Sequence, residues 1–329
     1  MPRRGRPVSS LVLGAAALGA GLFSALQSRA NGTLGTLLGD SLAAALWSFG
    51  SGWAILSLVT LFRPSVRTGL RTVYRAYRNE HLRWWQFLGG LLGGCYVGTQ
   101  AYVVPLAGVA LFSVASLAGQ TVNALLVDRL GLGPGGVRPV SRLRLGAAAL
   151  ALCGIVVAVS GRAPTGGLTT RVLLPVGLAF VTGAGLSLQA AINGRVRQHS
   201  RDVVASTWIN FTWGTALLGS LLVGRAAVGE VSWAVPQWLP WWSLAGGVLG
   251  VTNVAAATVL VHRLGVLVLM LLGLAGQLVG ALILDLVMPQ TRALVGPALV
   301  VGLLITLFAA GAAGIAARRA GSPADPVAG

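Results

Sequence analysis

The chain carries 2 Cys, 3 His and 7 Asp or Glu among its 329 residues. That is a small stock from which to build a metal centre or a catalytic site. His81, His199 and His262 lie far apart, and none falls at a metal-ligand spacing with Cys95 or Cys153. Both cysteines sit in apolar runs and read as small buried hydrophobes, not as a disulfide framework. No His-rich, paired-Asp or Ser/Lys constellation occurs, so no enzyme activity, cofactor or metal is expected. The groups left to do selective work are neutral amides inside apolar runs. Gln120 and Gln277 each offer two donors and an acceptor. They can hold a polar solute in a cavity, or bridge two helices with a hydrogen bond worth about 0.6 kcal/mol. Asn123, Gln100, Asn210 and Asn253 present the same choice. Asn31-Gly32 and Asn193-Gly194 suit either a helix C-cap or a solute contact. Gln27 and Gln189, one turn earlier, would stand at a cavity mouth. The substrate-cavity candidates are therefore Gln120, Gln277, Asn123, Gln27, Gln189, Asn31, Asn193 and Asn253. Asp128 and Asp285 are placed at interfacial depth, where pairing with Arg129 or solvation would satisfy them.

The elements that must position these amides are membrane helices. Charged residues make up 9% of the chain and hydrophobic ones 55%, whereas a soluble domain carries about 25% charged residues. At 1.5 Å rise per residue, a bilayer core takes roughly 20 apolar residues per crossing. Spans are expected at 8–27, 41–62, 86–106, 108–128 and 143–161, then at 172–192, 203–223, 241–261, 264–286 and 294–316. Tight turns around Pro105–Gly108 and His262–Gly265 separate the third and fourth span of each set. A net charge of +17, all from Arg among the cations, is distributed between spans and forms no continuous stripe of the kind nucleic acid requires. Arg3, Arg4 and Arg6 ahead of an apolar run ending in Ser28-Arg29-Ala30 also fit a cleavable signal. A mid-chain copy of the same segment argues for a retained helix.

That copy is one part of a duplication. Gln27, Asn31-Gly32, Phe49 and Gly52 recur 162 residues later as Gln189, Asn193-Gly194, Phe211 and Gly214. At an offset of 157, Trp84-Trp85, Gly89-Gly90, Gly93, Gly108, Ala118-Gly119-Gln120 and Asp128 recur as Trp241-Trp242, Gly246-Gly247, Gly250, Gly265, Ala275-Gly276-Gln277 and Asp285. Residues 1–165 form the first five-helix unit, 166–318 the second, and 319–329 a short disordered tail. An odd helix number per unit requires the second to be inserted upside down. The arginines agree: with the N-terminus inside, 19 fall on the cytoplasmic side against 5 outside, and the bias exchanges loop by loop between the units. Both termini are expected in the cytoplasm. Arg67, Arg71, Arg75 and Arg78 recur at helical spacing, as in a cationic helix lying on anionic headgroups of the inner leaflet. Glycines spaced by four, Gly90, Gly94 and Gly98 and again Gly246 and Gly250, suit close helix contact. Trp84, Trp85, Trp238, Trp241 and Trp242 begin spans and suit an interfacial belt.

Two motifs, Leu26-Gln27 followed by Asn31-Gly32, and Trp84-Trp85 followed by Gly89-Gly90 and Gly93, together with Ala118-Gly119-Gln120 ahead of Asp128, resemble the YdcZ-like branch of the drug/metabolite transporter superfamily, here as a fused pair. The resemblance implies an all-α integral membrane fold of about ten transmembrane helices in two inverted five-helix repeats around a central cavity. It also implies a bacterial cytoplasmic-membrane location and no particular substrate. Small multidrug exporters of that superfamily use a glutamate in the first helix for proton coupling; neither Val8–Leu26 nor Val172–Leu188 holds an acid. The function expected is secondary export of a small metabolite by alternating access, by a monomer or homodimer. A non-transporting membrane scaffold is the alternative, and would lack an internal cavity.

Overall fold

The structure, a computed structural model, describes residues 10–161, 170–230, 238–264 and 266–321. Arg3, Arg4 and Arg6, the boundary at 165/166, Gly265 and the tail from 322 lie outside the described residues. All regular elements among the described residues are helical. They are α1 (Ser10–Leu38), α2 (Ser41–Phe62), α3 (Pro64–Arg78), α4 (Gly89–Arg129), α5 (Arg142–Ser160), α6 (Thr170–Ser200), α7 (Val203–Ala227), α8 (Gly246–Leu264), α9 (Val266–Val287), α10 (Pro289–Arg292) and α11 (Pro297–Gly321). α4 is 41 residues long and contains a break at Gly108, whose φ of 78° and ψ of 162° are reached cheaply by glycine. Pro105 prepares the break, since it has no N–H to bond the Ala101 carbonyl. α4 therefore supplies two long segments, which brings the long helical segments among the described residues to ten; seven helices, α4 counted once, are long and apolar enough to cross a membrane. α11 continues to Gly321, past the residue at which the tail was expected to begin.

α1 and α6 run 29 and 31 residues, well beyond the spans expected from hydropathy. The Asn-Gly pairs do not end them. Asn31 and Asn193 stay helical because their amides find partners on other helices. Gly32 is required by packing: a Cβ there would lie 2.8 Å from Val104 Cγ1. The true end of α1 is Gly39, with φ of 63°, followed by Asp40, whose carboxylate caps α2 by accepting the Leu42 and Ala43 amides at 2.8 and 3.1 Å. The 162-residue offset carries this turn into the second unit: Arg201 (φ 52°) precedes Asp202, which caps α7 through the Ala205 amide at 3.0 Å. Arginine in the left-handed region is strained where glycine is not. Arg201→Gly is expected to stabilise the protein by about 1 kcal/mol, read as a raised unfolding temperature in detergent.

The duplication becomes a two-fold arrangement of contacts. The second helix of each unit packs on the other, α2 on α7, and the fifth helices pair as α5 on α11. α1 packs on α9 and α6 on α4, the same pairing with the units exchanged. Glycines match position for position. A Cβ at Gly90 would strike the Asn210 carbonyl, and one at Gly247 would meet the Ser48 carbonyl at 2.6 Å. Gly119 abuts the Phe180 carbonyl, and Gly276 that of Leu18. Gly52 faces the Phe211 ring and Gly214 the Phe49 ring; these two rings stack with centroids 4.9 Å apart. An interface in which residue i meets j while the copy of j meets the copy of i is self-complementary about a two-fold axis, and Phe49 and Phe211 straddle it.

α3 lies against α6 and α7. Its buried face is Val66, Gly69 and Val73, with Gly69 allowing the Ser200 carbonyl to approach. Arg67, Arg71, Arg75 and Arg78 are all exposed, and Arg67 also donates to the Leu61 carbonyl at the end of α2 at 2.9 Å. Val66 and Val73 are therefore covered by protein, while Tyr74 and Tyr77 on the same helix stay exposed. Cys95 and Cys153 are exposed on the helix-bundle surface, correcting their expected burial: in a membrane protein the outer surface is itself apolar.

Candidate transport cavity

Two cavities among the described residues bear on transport. The central one, about 290 Å³, lies between the first three spans of each unit. Its wall holds the repeat pairs Gln27 and Gln189, Phe49 and Phe211, Gly93 and Gly250, Tyr96 and Asn253, and Val97 and Val254. It thus sits on the two-fold axis. Gln100, Asn193, Asn210, Ser206 and Thr207 add further polar groups. Glycine is needed at 93 and 250 because a Cβ would lie 2.7 Å and 2.8 Å from the amide nitrogens of Gln189 and Gln27.

The polar groups of this wall are held by one another. Gln189 Nε2 and Asn193 Nδ2 both donate to Asn210 Oδ1, at 3.0 and 2.9 Å. On the other side Asn31 Nδ2 donates to Gln100 Oε1 and Gln100 Nε2 to Ser28 Oγ, each at 2.6 Å. Asn253 donates to Ser24 Oγ. Gln189 Oε1 is buried without a hydrogen-bond partner, packed beside Gly93. No ionised side chain lines this cavity.

The second cavity, about 800 Å³, opens between the second half of α4 and α6, α9 and α11. Gln120, Thr121 and Ser187 line its length, and Asp128, Arg138 and Arg144 stand at its mouth. Leu186 lines both cavities and so separates or joins them. Asp128 pairs with Arg144, not with its neighbour Arg129. Asp285, the repeat partner of Asp128, lies near the end of α9 and is 0% exposed, so it is satisfied by protein groups and not by the solvation that was one expectation for it. Its carboxylate accepts the Val109 and Ala110 amides at 2.9 and 2.8 Å, just past the Gly108 break. The segment from Val109 to Asp128 spans roughly 30 Å as a helix, so the two aspartates occupy opposite ends of one crossing. The repeat counterparts of the second cavity's lining, among them Ala107, Leu111, Val114, Leu278 and Ala281, are instead packed in the hydrophobic core. One end of the bundle is open and the equivalent end is closed.

The sequence candidates are distributed unevenly over this geometry. Gln27, Gln189, Asn193 and Asn253 are on the central wall. Gln120 lines the open cavity, while Gln277 lines neither. Asn31 is 0% exposed, behind the wall, and orients Gln100. Asn123 bridges α4 to α6 through the Ala184 carbonyl and Ser187 Oγ, both at 2.8 Å. Tyr96, Ser206, Thr207 and the Phe49–Phe211 pair were not among the candidates. The pairing of Tyr96 with Asn253 at offset 157 was the available signal for the first of them.

Comparison with known proteins decides the family. The model described as "Putative inner membrane exporter, YdcZ" matches the chain twice, over residues 12–157 and 174–312. The chain belongs to the YdcZ family. Two matches in tandem coincide with the two halves of the two-fold arrangement. The inner membrane protein YdcZ of Escherichia coli (strain K12) is 32% identical over 128 residues, covering 36% of this chain and 83% of that protein, so the match is the length of one unit. A solved structure described only as "Crystal structure of protein" superposes over 94% of this chain and 98% of its own, with a TM-score of 0.55 at 20% identity; this supports the fold alone. The protein is a multi-pass all-α protein of the bacterial inner membrane, in a family of exporters and not of enzymes.

Proposed function

We propose that this YdcZ-family protein is a secondary exporter that moves a small, uncharged, polar solute by alternating access, with the central cavity as the solute site. The observation carrying this is the cavity's position: on the two-fold axis, walled by five repeat pairs of the two units, with a larger cavity adjoining it at Leu186 on one side. Inverted repeats give two end states of nearly equal energy when the halves exchange conformation, and a solute on the axis meets equivalent walls in both. Amides, hydroxyls and three aromatic rings suit a neutral hydrogen-bonding molecule; a charged one would find no counter-ion in the central wall. The open end carries Arg138, Arg144 and Arg195, so by the arginine bias it faces the cytoplasm, where an exporter loads. The presence of an internal cavity counts against the scaffold alternative. The two units, 1–165 and 166–318, act as the rocking halves, and both termini are cytoplasmic.

The test is thermal stabilisation of the purified protein by a panel of neutral and charged metabolites. A neutral solute at about 100 times its dissociation constant should add about 2.7 kcal/mol, and Gln189→Leu should remove the response. Stabilisation by charged solutes only would overturn the substrate class. Gln120→Leu, on the entry path, should slow flux while leaving stabilisation by the same solute intact.

The exposed arginines of α3 are proposed to rest on anionic headgroups. Replacing Arg71, Arg75 and Arg78 by Gln should weaken the preference for anionic nanodiscs by about 1 kcal/mol per residue, read from the unfolding temperature in lipids of each charge.

A further inference from the structure

Asp285 and Asp128 stand at equivalent positions of the two units yet do different things. Asp285 closes one end of the bundle by capping the helix that restarts after Gly108, taking both of its first free amides. The contact depends on glycine, for a Cβ at 108 would lie 2.6 Å from the carboxylate oxygen. Asp128 faces the open cavity with its side chain 27% exposed and is held by Arg144, itself 6% exposed. Across that cavity stand Leu264 and Val268. In the sequence these flank Gly265-Val266-Leu267, the counterpart of Gly108-Val109-Ala110 at the offset of 157.

We infer that the two aspartates are alternating latches: each caps the helix start of the opposite unit when its own end is closed, and is held by an arginine when that end is open. In the present state Asp285 is latched and Asp128 is drawn aside by Arg144. In the opposite state Asp128 leaves Arg144 and caps the first amides of α9, while Asp285 releases Val109 and Ala110 and that end opens. Arg29 already acts on Asp285 electrostatically in the closed state, and the repeat names a second arginine to receive the released carboxylate. Gly154 and Gly302 approach each other's helices reciprocally, Gly154 meeting Thr306 and Gly302 meeting Ala158. That reciprocity sets an offset of 148 for the fifth helices, and the offset carries Arg144 onto Arg292, at the end of α10. Each latch exchanges one set of charge-assisted hydrogen bonds for another, so the carboxylate is satisfied in both states. The gate can therefore switch without an unpaired buried charge at either end.

This rests on the alternating-access reading for its second state, but its test does not require transport. In a background with Cys95→Ser and Cys153→Ser, a single reporter cysteine is placed at Ala124, which lines the open cavity. Its counterpart is placed at Ala281, which is 0% exposed at the closed end. Alkylation of each is followed with a small hydrophilic maleimide in solute-free nanodiscs. Asp285→Ala should raise the rate at Ala281→Cys and lower that at Ala124→Cys, changing the ratio of the two rates by about tenfold, the shift in the two-state equilibrium expected from about 1.4 kcal/mol of lost capping. Asp128→Ala should leave Ala124→Cys reactive and Ala281→Cys unreactive, because the opposite state has lost its cap. Arg144→Gln should shift the reporters as Asp285→Ala does, and serves if Asp285→Ala fails to fold. Faster labelling of both reporters in Asp285→Ala would mean mere loosening, and unchanged labelling would mean no latch; either overturns the inference. Failure of the transport reading would register separately, as absence of solute flux in the unsubstituted protein.

Discussion

Gly90→Val is expected to destroy the packed bundle, while Gly146→Ala at a site of the same residue type leaves it intact or improves it. A Cβ at Gly90 falls on the Asn210 carbonyl and within 2.8 Å of the Gly214 amide. Neither is a side chain that can rotate away, so α4 and α7 must separate. Overpacking of a well-filled contact costs about 1–3 kcal/mol and sometimes more. The upper end applies here because backbone meets backbone. The same separation would break the stacking of Phe49 on Phe211 and open the wall of the central cavity. Gly146 has nothing within 4 Å of a built Cβ. There alanine gains about 1 kcal/mol of helix propensity at no steric cost. The measurement is monodispersity and unfolding temperature in detergent. Equal behaviour of the two variants would show that the glycine contacts do not hold the bundle.

Asn210→Leu should reduce solute flux by about tenfold or more, the equivalent of about 1.4 kcal/mol in solute binding, without loss of folded protein. Asn210 Oδ1 is the shared acceptor of Gln189 and Asn193. Removing it frees two amide groups on the cavity wall to take other rotamers, and buried donors without partners each cost about 1–3 kcal/mol. Part of that cost is recovered by water in the cavity, so folding suffers less than recognition. Asn210→Asp keeps the acceptor and should retain more flux than leucine does. Flux of a stabilising solute into inverted vesicles reads the difference. Full activity of Asn210→Leu would remove the amide cluster from the site.

Much of this arrangement was legible because duplication is a property of the linear chain. The recurrence of Gln27, Phe49, Gly93 and Gly108 at two offsets implied two like units, and the structure pairs those residues across one axis. The amides of the central wall were also legible, since Gln27, Gln189, Asn193 and Asn253 are polar groups in spans that otherwise exclude them. Helix ends were less so. Asn31-Gly32 has the local chemistry of a cap, but in a membrane bundle the asparagine bonds to Gln100 on another helix and the glycine admits Val104. Both demands are tertiary, and they outweigh a local preference of a few tenths of a kcal/mol. Asp128 and Asp285 read identically in the sequence, with the same motif upstream and the same apolar block before them.

By itself the sequence determined that the chain lives in a bilayer, that it is doubled, and that the polar groups midway along its spans are uncharged. Hydropathy, repetition and the distribution of arginines are all sums over the chain and need no coordinates. Only the tertiary structure decided which end is open. The two units have nearly the same pattern, so neither is favoured by composition. The choice lies in where two carboxylates find their partners: Asp285 on the amides after Gly108, Asp128 on Arg144. Val109 and Asp285 stand 176 residues apart, and Asp128 and Arg144 stand 16 apart on different helices; both pairs become neighbours only once the helices have packed.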